Sequence, residues 1–160
     1  LSDLGMNARI IKRFEKEGQR GFLGYARQYF LELWKPRRFR CHIAYDGGEV
    51  QHKVLMVVIA NATTYGTGAV VNPDGRMDDG KMEIILIRPY PVRMFFRFLL
   101  SIFTGTPGKD QRIQIFQTRK ATLQTIHRQH LQVDGEVVGK QDRVSVRIIP
   151  GAVRLITPRA

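Results

Sequence analysis

The stretch VLMVVIANATTYGTGAVVNPDGRMDDGKMEIILI, residues 54–87, decides the predicted fold. Its two apolar runs, residues 54–60 and 82–87, are rich in β-branched side chains and short enough to be buried strands. Between them lies a polar, glycine-rich segment, in which Gly66 and Gly68 permit backbone conformations that other residues resist. The sequence therefore predicts two core strands joined by a connection that carries the residue types of a functional site.

The order of residues in this stretch resembles the second domain of the diacylglycerol kinase and sphingosine kinase superfamily, particularly the bacterial soluble lipid kinases. The residues that carry the resemblance are Ala60, Asn61, Tyr65, Gly66, Gly68, Pro73, Asp78, Asp79 and Gly80. Downstream, Val133, Asp134, Gly135 and Glu136 are similar to the late Asp-Gly-Glu motif of that family. The resemblance covers nearly the whole chain. It implies that Asn61, Tyr65, Gly66 and Gly68 contact the substrate.

The Asp-Asp-Gly segment offers oxygen ligands of the kind that a hard cation such as Mg²⁺ prefers. The resemblance implies that the side chain of Asp79 and the main-chain carbonyls of Arg76 and Lys81 hold that metal. Because the latter two contacts come from the backbone, an arginine and a lysine are chemically acceptable there. A plain hairpin turn is the alternative interpretation of the same residues, since Asp-Gly is a common turn signal.

Glu136 is the candidate catalytic residue, because it is predicted to project from the rigid end of a strand. Phosphoryl transfer from ATP requires that the proton of the acceptor hydroxyl be taken up while Mg²⁺ neutralises the developing charge. The resemblance implies that Glu136 accepts that proton. A solvated turn residue is the alternative, since exposed glutamates are common on protein surfaces.

The nucleotide-binding loops of kinases are missing from the sequence. The family binds ATP through a Gly-Gly-Asp-Gly-Thr loop in a preceding domain, and neither that loop nor a Walker loop nor a protein-kinase glycine-rich loop occurs here. We therefore expect residues 1–160 to form a single substrate-side C-terminal domain of a lipid kinase. The nucleotide-binding domain would lie upstream, and this piece alone would be inactive.

The remaining patterns predict a mainly β (α+β) fold. Residues 6–34 carry apolar stripes typical of two helices that break near residues 18–21, with Arg9, Lys12, Arg13 and Lys16 on a basic face. Residues 39–54 predict a hairpin, and residues 92–103 a short helix that either packs on the sheet or lies at a membrane interface. Further strands are predicted over 112–118, 121–127, 129–133, 137–138, 144–149 and 152–156. The expected architecture is an antiparallel β-sandwich-like domain with two N-terminal helices and one inserted helix.

The composition and net charge of the chain limit the classes of partner that we expect it to bind. The chain of 160 residues carries a formal net charge of +12, one cysteine and no apolar run long enough to span a bilayer. Such a charge attracts anionic lipid, nucleotide or nucleic acid. Because no nucleic-acid-binding motif accompanies it, we expect a lipid substrate, a membrane surface and ATP as partners, and no nucleic acid. His42 and His52 lack a third ligand at matching spacing and are expected to be exposed sheet residues.

Three functions remain open at this stage. The first is the cytoplasmic, peripherally membrane-associated lipid kinase that the resemblance implies, with Mg²⁺ and ATP as cofactors. The second is a non-catalytic module that binds lipid or a membrane surface. The third is a basic nucleic-acid-binding β domain. The acceptor lipid and the oligomeric state, including a homodimer, stay open with them.

Overall fold

The computed structural model describes residues 1–17, 31, 32, 34, 36–65, 69, 70, 72, 75–91 and 112–153. Its elements are β1 Ser2–Gly5, α1 Met6–Glu17, β2 Phe39–Tyr45, β3 Gly48–Val54, β4 Met56–Ala60, β5 Thr64–Tyr65, β6 Ala69–Val70, β7 Met82–Ile87, β8 Ile113–Thr118, β9 Lys120–Val133 and β10 Glu136–Arg147. Leu31, Glu32 and Trp34 are also helical. The predicted mainly antiparallel β fold is confirmed.

Eight of these strands form one antiparallel sheet, in the order β3-β2-β9-β1-β4-β7-β8, with β10 paired to β9. The long strand β9 joins the two halves of the sheet. Its first half pairs with β2 at residues 121–125, its last residues 131–133 pair with β1, and β10 follows nearly its whole length. Because β8 passes directly into β9 through Arg119, the sheet folds over on itself into two layers.

An apolar core fills the space between the two layers. It comprises Leu4, Phe39, Cys41, Ile43, Val54, Val57, Ile59, Met82, Ile84, Leu86, Ala121, Leu123 and Leu131. The alternation in β2 follows the predicted period of two, with buried Phe39, Cys41 and Ile43 separated by more exposed residues. Strands β4 and β7 are buried on both faces, which explains why their sequences read as continuous apolar runs.

Helix α1 covers the opposite face of β4 and β7. Met6 and Ile10, one helical turn apart, pack there with Leu55, Met56, Val58, Ala60, Ile85, Ile87 and Tyr90. The chain passes from β1 into α1 at Gly5, whose φ of 113° suits glycine. A β-carbon on Gly5 would lie 2.7 Å from the Leu55 carbonyl oxygen, so the helix can approach the sheet closely only with glycine here.

Several predicted boundaries were wrong. The apolar run 54–60 is divided, because Val54 ends β3 and Leu55 forms a corner whose N–H donates to the Ile87 carbonyl at 2.8 Å. The short strand β1 was not predicted. Residues 121–133 form one strand instead of two, and residues 136–147 form another, because β9 and β10 continue pairing through two irregularities in register. Ala152 and Val153 are bends and not the start of a strand.

The expected basic face of α1 was wrong at one position. Arg9 is 6% exposed, and its guanidinium lies 2.7 Å from the Glu32 carboxylate. Lys12 is exposed, as predicted. The break near residues 18–21, the short helix over 92–103 and most of the second N-terminal helix lie outside the described residues. Within the described part of the chain, no helix is both long and apolar enough to cross a membrane.

Candidate functional site

Strand register places the ends of five strands at one edge of the sheet. Val133 of β9 pairs with Ser2 of β1, Ser2 pairs with Ile59 of β4, and Ile59 pairs with Ile84 of β7. Ile84 in turn pairs with Phe116 of β8. Since the strands are antiparallel, this edge contains the ends of β9, β4 and β8 and the beginnings of β1 and β7.

The candidate residues lie on the chain segments that leave this edge. Asn61 directly follows β4, Asp79 precedes β7 by three residues, and Glu136 begins β10 after the turn that ends β9. Strand β9 is three positions from β7 in the sheet, so their axes are about 14 Å apart at a typical strand spacing. Glu136 lies on β10, one strand beyond β9, so along the sheet it is about 19 Å from β7. The fold therefore places both predicted motifs at the same edge of the sheet.

The turn before Glu136 is tightly specified. Asp134 and Gly135 have φ values of 47° and 94°, as in the two-residue turn that best matches the twist of a β-hairpin. The N–H of Gly135 donates to the side-chain oxygen of Gln132 at 2.7 Å. The side chain of Glu136 is exposed, and its residue pairs with Val133 across the hairpin. An exposed carboxylate at a fixed strand end is available to a substrate.

A buried polar cluster ties this turn to α1, and sequence reasoning gave it no role. Asp3 and Gln132 are both 0% exposed. The Asp3 carboxylate accepts hydrogen bonds from the Gln132 amide at 2.6 Å, from the Asn7 amide at 2.6 Å and from the Ala8 N–H at 3.0 Å. The last bond satisfies one of the otherwise unpaired N–H groups of the first helical turn. We call Asp3, Asn7 and Gln132 the polar cluster.

The two aspartates of the Asp-Asp-Gly segment have different partners. Asp79 accepts from the Lys81 N–H at 2.9 Å through one oxygen and from the Gln117 amide at 3.1 Å through the other. Asp78 is exposed and pairs with Arg76 at 3.1 Å, and this guanidinium lowers the pKa of Asp78. The Asp78 carboxylate therefore pairs with a cation, whereas the hydrogen bonds that Asp79 accepts from described residues come from neutral N–H groups.

Glu83 is a second carboxylate beside Asp79 that sequence reasoning missed. It is 4% exposed, and its two oxygens accept from the Asn72 amide at 2.6 Å and from the Gln117 amide at 3.3 Å. The Gln117 nitrogen therefore lies between the carboxylates of Glu83 and Asp79. The available signal was the polar Glu83 within an otherwise apolar strand.

The donor set fits a hard divalent cation. Mg²⁺ usually takes one or two carboxylates together with several waters, and Asp79 supplies one carboxylate, with that of Glu83 behind the Gln117 amide. Each oxygen of Asp79 accepts one hydrogen bond and keeps further lone pairs for a metal. The described residues contain no group of three or more His, Cys, Asp or Glu side chains suited to a metal. A cation here would also need backbone carbonyls or water.

The other predicted site residues divide between described and undescribed parts of the chain. Asn61 is half-buried at the end of β4. The backbone of Tyr65 lies in β5, while its side chain, Gly66 and Gly68 lie outside the described residues. His42 and His52 do not form a metal pair, because register places them on opposite faces of the β2–β3 hairpin. Both are half-buried, and His42 contacts Glu49 at 3.1 Å.

Comparison with known sequences identifies one family. Residues 3–157 match the family described as the YegS C-terminal NAD kinase beta sandwich-like domain. A protein of Chromohalobacter salexigens named as a YegS-like lipid kinase is 20% identical over 134 residues, which are 84% of this chain and 43% of that protein. A diacylglycerol kinase of Bacillus subtilis is 22% identical over 119 residues, covering 74% of this chain and 39% of that protein. The chain thus spans less than half the length of these relatives.

Comparison with solved structures gives the same fold. A Bacillus anthracis protein described as a diacylglycerol kinase superposes with a TM-score of 0.67 at 16% identity, covering 94% of this chain and 50% of the other. A second structure from that organism, with the same description, has a TM-score of 0.64 at 18% identity and the same coverage. At these identities the likeness concerns the fold alone.

Proposed function

The chain belongs to the family of YegS C-terminal NAD kinase beta sandwich-like domains, and on that premise we propose that it is the substrate-side domain of a lipid kinase. The reaction is transfer of the γ-phosphate of ATP to a hydroxyl of diacylglycerol or a related lipid. The observation that carries this proposal is the common sheet edge from which the Asp79 and Glu136 segments leave. ATP would be bound mainly by a preceding domain of the longer protein.

Glu136 acts in this proposal as the base that accepts the proton of the lipid hydroxyl. A general base of this kind contributes about 10²–10⁴-fold to a rate when it is held at the reacting group. The turn at Asp134 and Gly135 and its bond to Gln132 supply that positioning. Solvent access lets the carboxylate reach a hydroxyl presented from a membrane surface.

Asp79 would hold Mg²⁺, together with the main-chain carbonyls of Arg76 and Lys81. When bound, the metal neutralises negative charge that develops on the transferred phosphoryl group. Glu83 lies beside Asp79 across the Gln117 amide and raises the negative charge that attracts a cation. Gln117 itself orients both carboxylates by donating to each of them.

The remaining contacts of the substrate are assigned to the connection between β4 and β7. We propose that Asn61, Tyr65, Gly66 and Gly68 contact the lipid there. The protein then works in the cytoplasm, at the inner surface of a membrane. No nucleic acid is required for this activity.

The test is transfer of labelled phosphate from ATP to a panel of lipids in mixed micelles, with the full-length protein and with Mg²⁺ present or chelated. We expect Mg²⁺-dependent transfer that falls by about 10²-fold or more in Glu136→Gln. Asp142→Asn is the matched control, because Asp142 is also an exposed acid of β10. Transfer that survives in Glu136→Gln would remove Glu136 from the site. Absence of transfer to every lipid would favour a non-catalytic lipid-binding module.

A further inference from the structure

The layer formed by β3, β2, β9 and β10 has one face turned away from the core, which we call the outer face. Alternation along the strands assigns residues to it, since their neighbours Phe39, Cys41, Ile43, Leu123 and Ala121 are buried. The outer face comprises Arg40, His42, Ala44, Glu49, Gln51, Lys53, Lys120, Thr122, Gln124, Ile126, Arg143, Ser145 and Arg147.

Like charges oppose one another directly on the outer face. Arg40 pairs with Lys53 across β2 and β3, and Lys120 pairs with Arg147 across β9 and β10. All four are exposed. Like charges that lie directly opposite on neighbouring strands destabilise a sheet. The two pairs therefore impose an electrostatic cost that an anionic partner would relieve.

Acidic residues do not balance this charge. Five cations lie on the outer face, against Glu49, which alternates onto it, and the exposed Asp142 beside Arg143 at the register shift of β10. The Glu49 carboxylate already contacts His42 at 3.1 Å. Asp46 lies at the margin, where its carboxylate accepts from the Arg119 N–H at 2.8 Å. The face therefore carries a net positive field that its own residues leave uncompensated.

Two further features indicate what kind of anion fits. Lys120 and Arg147 flank an open depression of about 550 Å³, in which the Thr122 and Ser145 hydroxyls lie 3.2 Å apart. Cations beside hydroxyl donors suit a phosphate group. Ile126 is 68% exposed on the same face. An exposed apolar side chain among cations is typical of surfaces that lie on a lipid bilayer.

We propose that the outer face is the surface by which the protein docks on a bilayer containing anionic phospholipid. Lipid phosphate occupies the depression between Lys120 and Arg147, and Ile126 reaches into the interfacial layer. The proposal deepens the lipid kinase function and rests on it for its biological meaning. The outer face also borders the candidate site, because Lys120 follows Thr118 by two residues and Thr118 pairs with Met82 at the start of β7.

The test is co-sedimentation of the protein with vesicles of phosphatidylcholine, with or without phosphatidylserine. A basic residue near an anionic membrane contributes about 1 kcal/mol, so Lys120→Gln/Arg147→Gln is expected to weaken binding to the serine-containing vesicles by about 30-fold. The matched control is Lys12→Gln/Lys140→Gln. It removes the same charge from two exposed lysines beside His130, which lies ten residues along β9 from Lys120 and outside the depression. We expect the control to retain most of the binding.

A third variant, Ile126→Ser, separates a bilayer from other polyanions. It is expected to weaken vesicle binding several-fold without a change in net charge, because the interface loses an apolar contact. Equal losses in the two charge variants would overturn the assignment to the depression at Lys120 and Arg147. Binding to a nucleic-acid duplex but not to vesicles, unaffected by Ile126→Ser, would overturn the membrane proposal. Because no ATP is present, these results are independent of whether the kinase proposal holds.

Discussion

The two faces of β4 and β7 differ in the polar groups that they bury. Toward the space between the sheet layers, the buried side chains are apolar apart from Thr118 and Thr125, whose hydroxyls donate to nearby main-chain carbonyls. Cys41 lies in this space, where burial raises the pKa of its thiol to about 12. Toward α1, the buried residues include Asp3, Asn7, Asn72, Glu83 and Gln132.

This difference separates stability from function. A buried polar group costs free energy unless hydrogen bonds replace those it made to water. The polar cluster satisfies that requirement while it holds the turn before Glu136, and Glu83 does so beside Asp79. We infer that the interior between the layers holds the fold together, whereas the face covered by α1 holds the candidate site in place.

The largest expected effect on stability comes from emptying the interior. Leu86 is 0% exposed between the sheet layers, and Leu86→Ala should lower the free energy of unfolding by about 3 kcal/mol through lost burial and a residual cavity. Urea unfolding followed by circular dichroism measures this. The transfer rate per folded molecule should stay close to that of the unaltered protein. A rate that fell with stability would break the separation between the two faces.

A substitution in the polar cluster should lower stability by less than Leu86→Ala does. Asp3→Asn keeps the shape of the side chain but turns an amide group toward donors from Asn7, Ala8 and Gln132. We expect a loss of about 2 kcal/mol, because at least one buried donor is left without an acceptor. Asp142→Asn, at an exposed position, should change stability by less than about 0.5 kcal/mol. Equal effects in the two variants would contradict the role of the cluster.

A substitution in the turn before Glu136 should lower the stability of the protein only slightly. Gly135 has a φ of 94°, and a β-carbon there would meet no atom within 4 Å. Gly135→Ala is therefore strained by backbone conformation alone, which costs about 1 kcal/mol. Thermal unfolding measures that cost, and phosphate transfer should fall as well because Glu136 shifts with the turn. Unchanged transfer would show that the position of Glu136 is not critical.

The smallest expected effect is a pH dependence from His130. Burial, with the positive charges of Lys12 and Lys140, lowers its pKa in the folded protein. As pH falls below about 6.5, the unfolded chain takes up the proton first, so stability should decline between pH 7 and 5. His130→Gln should flatten that decline in part, because burial and the positive charge of Arg88 also lower the pKa of His52. Urea unfolding of both proteins across this pH range measures the difference between the two slopes.

Local patterns in the sequence predicted much of the fold. Alternation identified β2, the Asp-Gly signal placed the turn at residues 134 and 135, and the apolar runs gave β4 and β7. These features depend on near neighbours in the chain. The single long strand β9 was not predicted, because its continuity comes from pairing with β10, and local polarity at residues 127–129 suggested a break.

The candidate site was predicted only in part, for the same reason. The motifs pointed to Asp79 and Glu136, but the contributions of Asp3, Gln132 and Glu83 arise from contacts across the sheet. Gln132 and Asp3 are 129 positions apart in sequence, and a single polar residue within a strand does not reveal a partner at that distance. The pairing register of β1 with β9 shows that these two residues are neighbours.

The most direct test of the division between the two faces compares two buried substitutions. Gln132→Met removes the bonds to Asp3 and to the Gly135 N–H while it keeps a similar volume, and Ile84→Val removes one methylene from the interior. Both should lower stability by about 1 kcal/mol. The measurement is the rate of phosphate transfer to lipid by the full-length protein, normalised to the folded fraction. We predict a loss of about tenfold in Gln132→Met and none in Ile84→Val. Equal rates in the two variants would contradict the account.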